Sequence, residues 1–222
     1  MAVWAVLAAA GRGERLGGGK RPKAFAKLGE RPLLAESLER LEASDWIDAI
    51  VIVAPPGWEE PSILVAEELA CTKVAACATG GETRAESVRA GVTEVAAEAD
   101  VIVVHDAARP VLPEEVIERV LRALNEGWDG AVPGLPLADT VKRVHGGQVV
   151  ETLPREELVA VQTPQAFVAP VLRDALAGEL AGATDCAALV EAAGGRVTTV
   201  DGDERLLKVT TPADLARVRG WL

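Results

Sequence analysis

The sequence of 222 residues predicts an α/β fold, a mainly parallel sheet flanked by helices. Two observations carry this. Short, near-continuous apolar runs rich in β-branched residues recur along the chain, as expected of strands buried on both faces. Stretches with helical spacing separate them. A third observation, two β-prone segments flanking a glycine pair, predicts a β-hairpin arm that projects from the sheet.

In chain order, the predicted strands are AVWAVLA (2–8), AIVIVA (49–54), KVAACA (73–78), VIVVHD (101–106) and GAVPG (130–134). Helical spacing covers 32–41, 82–97 and 113–125. The stretch PLADTVKRVHGGQVVE (136–151) holds two β-prone segments around His145, Gly146 and Gly147, and is read as the arm. Beyond it the alternation resumes, and the last helix opens at TPAD (211–214). There Thr211 is placed to cap, Pro212 to take the first helical position and Asp214 to sit in the first turn. This alternation makes the expected fold Rossmann-like. In such sheets ligands bind where loops leave the carboxyl ends of the strands, and AAAGRGERLGGGKRPK (8–23) and HDAARP (105–110) both fall there.

Composition narrows the function. A chain 49% hydrophobic and 26% charged is ordinary for a globular protein, and a net charge of -11 argues against a nucleic-acid partner or an anionic membrane surface. Basic residues that cluster despite that balance are informative: Arg12, Arg15, Lys20, Arg21, Lys23, Lys27 and Arg31 fall close together, with only Glu14 and Glu30 between them. Cys71, Cys77 and Cys186 form no CxxC pair and indicate neither a disulfide framework nor a zinc site. With no export signal and no apolar stretch long enough to span a membrane, the expected location is the cytoplasm.

Glycine lets backbone N–H groups approach phosphate oxygens, so two phosphate motifs are tested first on the glycine-rich loop. A Walker A loop requires Gly where Glu14 stands, six residues before Lys20, and Ser or Thr where Arg21 stands. A dinucleotide fingerprint from Gly11 and Gly13 requires Gly where Leu16 stands. What remains is a small-residue turn followed by cations on a long loop, which fits polyphosphate binding; a solvated basic loop is the alternative. Asp106, at the end of VIVVHD, stands where a carboxylate faces a ligand, or else merely caps the following turn.

The stretch AAAGRGERLGGGKRPKAF resembles the signature of sugar-phosphate nucleotidyltransferases: a small-residue turn, Gly, an Arg, then Pro-Lys. Within that superfamily the chain is similar to the 2-C-methyl-D-erythritol 4-phosphate cytidylyltransferase family. Matching segments run in order through GGETRAESVRAG (80–91), VVHDAARP (103–110), DTVKR (139–143), TLPREELVAVQTPQAF (152–167), TDCAALVE (184–191) and KVTTPADL (208–215).

The resemblance implies transfer of a cytidylyl group from CTP to methylerythritol phosphate, with release of pyrophosphate and the help of Mg²⁺ or another divalent cation. It implies catalytic roles for Arg15, Lys23, Arg155 and Lys208. CTP would be bound at Ala9, Ala10, Gly11, Gly13, Gly81, Glu82 and Ser87, with Gly17 to Gly19 letting the loop fold over the triphosphate. The sugar phosphate would meet Asp106, Arg109, Thr140 and Thr184, and Asp106 would reach the metal. Asp201 and Asp203 are candidate outer metal ligands, and Arg84 reads as structural or phosphate-facing. Many family members have Asn two residues before the position of Lys208, where this chain has Leu206. A single nucleotidyltransferase domain, 1–222, is expected, with no second catalytic domain. The arm, 136–155, would cross to a second copy in a homodimer, so that Thr140 and Arg155 serve the partner's site. Two other readings share these residues: transfer to ribitol 5-phosphate, and a nucleotide-binding protein without catalysis.

Overall fold

A computed structural model of the chain describes residues 1–11, 13–16 and 21–221, with Glu14 described by its backbone alone. From β1 (Val3–Ala8) the chain passes through two 3-10 turns, Glu14–Leu16 and Lys23–Phe25. A two-strand ladder, β2 (Lys27–Leu28) and β3 (Arg31–Pro32), then leads into α1 (Leu33–Ala43). The alternation continues through β4 (Ala49–Ala54), α2 (Glu59–Glu68), β5 (Val74–Thr79), α3 (Arg84–Thr93), β6 (Val101–Asp106) and α4 (Glu114–Asn125). β7 (Gly130–Pro136) is followed by a hairpin, β8 (Val141–His145) and β9 (Gln148–Leu153), and then by β10 (Val159–Val161) and β11 (Gln165–Val168). α5 (Ala169–Ala177), α6 (Cys186–Ala192), β12 (Val197–Asp201) and α7 (Pro212–Arg219) follow.

The main sheet has eight strands in the order β10-β7-β11-β6-β1-β4-β5, with β12 also paired to β7. β1 pairs in parallel with β4 and β6, β4 with β5, and β12 with β7; β10 and β11 run antiparallel to their neighbours. The expected Rossmann-like, mainly parallel sheet is therefore observed, with two antiparallel strands inserted. Strand periodicity sorts β1 between two cores. Val3, Ala5 and Leu7 join Leu34, Leu38 and Leu41 of α1 and Ile117 and Leu121 of α4 on one face. Val6 joins Val88 and Val92 of α3 and Leu172 of α5 on the other.

α3 starts two residues later than the spacing suggests, because a capping box fixes its entry. The Thr83 hydroxyl accepts the Glu86 N–H at 3.1 Å, and the Glu86 carboxylate accepts the Thr83 N–H at 2.9 Å. Gly81 and Glu82 thus remain in the loop. The last helix carries the same device between Thr211 and Asp214, as its sequence predicts. In the arm, Gly146 and Gly147 both take positive φ, 56° and 83°, which closes a two-residue hairpin turn. β8 and β9 pair only with each other, and Val144, Val149 and Val150 are exposed on them. No helix among the described residues is long and apolar enough to cross a membrane.

Candidate active site

Loops leaving β1, β4, β5 and β6 surround an open cleft of about 710 Å³ at the carboxyl ends of the strands. One of its walls is made of small residues. Gly80 backs so closely onto Ala10 that a Cβ on it would stand 2.2 Å from the Ala10 Cβ, so the β1 and β5 loops touch only because no side chain intervenes. Ala9, Ala10, Gly11, Gly81, Glu82 and Ser87 line the cleft here. Ser87 holds the turn: its hydroxyl donates to the Thr83 carbonyl at 2.8 Å and accepts the Gly81 N–H at 3.1 Å. Exposed backbone beside small side chains forms a slot fit for a flat ring and its polar edge.

Next to this slot stands a cluster of charge. Asp106 ends β6, buried, with both carboxylate oxygens engaged. Oδ1 accepts Arg84 Nε at 3.1 Å with Arg84 Nη2 at 3.0 Å, and Oδ2 accepts Lys208 Nζ at 2.6 Å. Burial would raise the Asp106 carboxyl, but Arg84 above all, and then Lys208, hold it well below the usual carboxylate range. Arg84 therefore faces the carboxylate rather than solvent. Arg109, behind the wall, gives Nη1 to the Leu206 carbonyl, and its buried Nε has no hydrogen-bond partner among the described residues. Leu206 is itself fully buried, so its side chain is taken up by core packing.

Lys23 enters the cleft on the 3-10 turn Lys23–Phe25. Burial first, and then the nearby Lys208, push its ammonium down to about 8, with Asp106 opposing and Arg15 and Arg109 adding to the depression. Two contacts fix the turn. Gly13 lies against Lys23 itself, and Phe25 packs on Trp58 with ring centroids 4.6 Å apart. Trp58, Pro55 and Pro56 form a cleft wall that sequence reasoning missed. The available signal was a PPGW turn directly after a predicted strand.

The other expected residues lie further out. Arg15 is exposed on the first 3-10 turn. Thr184 is exposed just before α6, whose N-cap is Asp185. Thr140 and Arg155 sit at the base of the arm and do not line their own chain's cleft; Arg155 is held by the Ala138 carbonyl and by Glu156. Asp203 is taken by Arg205 at 2.7 Å, and Asp201 is exposed. The expectations for Arg12, Gly17 to Gly19 and Lys20 lie outside the described residues.

Among the described residues, no group of three or more His, Cys, Asp or Glu side chains could hold a metal ion. Asp106 offers the cleft one carboxylate, already shared between two cations. That donor set does not fit a metal held by the protein alone.

Fixed cations converging beside a small-residue slot, at the strand ends of a Rossmann-like sheet, define a nucleotidyltransferase. The model of the family described as IspD, 2-C-methyl-D-erythritol 4-phosphate cytidylyltransferase, matches residues 3–222. A protein of that name from Frankia casuarinae is 46% identical over 99% of this chain and 81% of its own length. One from Nocardia farcinica is 43% identical over 96% and 90%. The crystal structure of a 4-diphosphocytidyl-2C-methyl-D-erythritol synthase superposes with a TM-score of 0.82 at 36% identity, covering 98% of this chain and 97% of that one. The chain belongs to the 2-C-methyl-D-erythritol 4-phosphate cytidylyltransferase family.

Proposed function

We propose that the protein transfers the cytidylyl group of CTP to 2-C-methyl-D-erythritol 4-phosphate, giving 4-diphosphocytidyl-2-C-methyl-D-erythritol and pyrophosphate, in isoprenoid precursor synthesis. The observation that carries this is the gathering of Lys23, Asp106 and Lys208 in one cleft beside the small-residue slot, with Lys208 paired to Asp106, in a chain that is otherwise strongly acidic.

A phosphate monoester is already anionic near neutral pH, so its oxygen attacks the α-phosphorus without a general base. The new O–P bond forms as the bond to the β-phosphate bridging oxygen breaks, and pyrophosphate leaves with that electron pair. The protein's task is to hold two polyanions in line and to stabilise charge on the α-phosphoryl oxygens. Lys23 and Arg15 supply that charge. Ala9, Ala10, Gly81, Glu82 and Ser87 hold the cytosine ring, and Gly11 and Gly13 let the backbone approach the phosphates. Asp106 orients Lys208 and Arg84 toward the acceptor, and Arg109, in the same turn, adds positive charge behind them. A divalent cation, Mg²⁺ in our reading, would come with CTP rather than on a protein cage, and would supply neutralising charge to the triphosphate.

We further read the chain as one nucleotidyltransferase domain that works as a cytoplasmic homodimer. A hairpin with exposed valines and no core of its own needs a surface to pack on, and an arm spanning 136–155 that crosses to a second copy would carry Thr140 and Arg155 into the partner's cleft. Thr184 completes the acceptor pocket.

The test is pyrophosphate release by the purified protein with CTP and Mg²⁺, comparing methylerythritol 4-phosphate with ribitol 5-phosphate. Release with the first alone supports the proposal. Release with ribitol 5-phosphate alone overturns the acceptor, and release with neither leaves a nucleotide-binding protein.

A further inference from the structure

The proposed reaction gives neither histidine a step, yet His105 is fully buried beside Asp106 and engaged at both ring nitrogens. Its Nε2 lies 3.0 Å from the Arg109 carbonyl oxygen, and its Nδ1 lies 3.1 Å from the Thr163 hydroxyl. A carbonyl oxygen only accepts, so Nε2 must carry the ring proton. Nδ1 of the neutral ring is then a bare lone pair, and the Thr163 O–H donates to it. The Thr163 oxygen in turn accepts the Asp106 backbone N–H at 3.1 Å.

Every donor in this chain therefore has one direction. The Asp106 N–H donates to Thr163, Thr163 donates to His105, and His105 donates to the Arg109 carbonyl. The two ends of the chain are the two ends of one tight turn, which the Arg109 N–H closes onto the Asp106 carbonyl at 2.9 Å. That turn presents the carboxylate of Asp106 to Arg84 and Lys208, and the guanidinium of Arg109 to Leu206.

We infer that His105 and Thr163 are positioning residues, an internal strut that pins the Asp106–Arg109 turn at both ends and so sets the aim of its two charged side chains. The imidazole acts as a fixed donor–acceptor spacer and exchanges no proton with substrate. Aspartate in a turn of small residues has several backbone conformations open to it, and a displacement of about 1 Å at a catalytic group can cost on the order of 10²-fold in rate.

The kinetic consequence rests on the proposed transfer reaction, while the bond directions do not, and the experiment separates them. The protein has two histidines, so nitrogen-15 NMR of the unmodified protein, with a His145→Gln variant for assignment, reads the tautomer directly. The expected result is His105 protonated on Nε2 and bare on Nδ1. A proton on Nδ1 overturns the inference.

The second measurement compares Thr163→Val, which keeps the volume and loses the hydroxyl, with Thr163→Ser, which restores it. Thr163→Val is expected to lower kcat/KM for the acceptor by about 10–100-fold while the dissociation constant of CTP moves less than about threefold, and Thr163→Ser to stay within about threefold of wild type. Wild-type kinetics in Thr163→Val overturn the inference, as does equal damage from Val and Ser or an equal loss of CTP and acceptor binding. Should the unmodified protein turn over neither acceptor, the transfer reading fails, and the tautomer alone decides the strut.

Discussion

Gly13 rests directly against Lys23: a Cβ built on the glycine would stand 2.5 Å from the Lys23 Cβ, and its φ of +71° lies where other residues are strained. Gly13→Ala must therefore twist the loop and push the lysine turn aside. The expected result is a loss of about 1–2 kcal/mol in stability, read by urea denaturation. A fall of about tenfold or more in kcat should accompany it. An alanine variant with unchanged turnover would show that Lys23 tolerates the displacement.

Lys23 gives the reaction a pH limb. With its ammonium pushed down to about 8, the free protein loses that cation as pH rises through this value, so kcat/KM for CTP should fall on the alkaline side. Bound triphosphate favours the charged form, which moves the corresponding limb in kcat to higher pH. Lys23→Ala should abolish the limb and lower turnover by on the order of 10²-fold or more while the protein stays folded. A pH–rate profile of both proteins decides it.

Asp106→Asn removes the one negative charge between Arg84 and Lys208 and leaves two cations facing each other. Stability should drop by about 3 kcal/mol, the low end for a broken buried pair because Lys208 is partly exposed. Denaturant titration measures this, and a near-neutral variant would mean that water already screens the pair.

The proposed sharing of sites between two copies makes a sharper prediction about the arm. Lys23→Ala and Arg155→Ala should each be inactive alone, yet a mixture allowed to exchange subunits rebuilds one intact site in every mixed dimer, restoring roughly a quarter of wild-type activity. No recovery after verified exchange would place Arg155 in its own chain's cleft.

Much of this was legible in the residues. β1 and β4 are unbroken apolar runs and β6 opens as one, while Asp106 stood out as an acid at a strand end and Lys23 through the Pro-Lys pair of the family resemblance. β11, Gln165–Val168, was hidden because its antiparallel place depends on pairing with β6 and β7, which no local pattern records. Trp58 was passed over because an aromatic residue in a proline-rich loop does not announce that Phe25 packs against it. His105 and Thr163 lie 58 positions apart, and only the folded sheet makes them neighbours.

The junction of Arg84, Asp106 and Lys208 joins residues from three distant stretches of chain, and two further hydrogen bonds reinforce it: the Arg109 guanidinium to the Leu206 carbonyl, and the Val209 N–H to the Ala108 carbonyl at 2.8 Å. During synthesis on the ribosome, β1, β4 and β6 can pair long before Lys208 has been made. A nascent polypeptide thus holds these three strands well before its working charge arrangement, which waits for Lys208 near the end of translation, so a chain cut short of Lys208 lacks a cation that the acceptor needs.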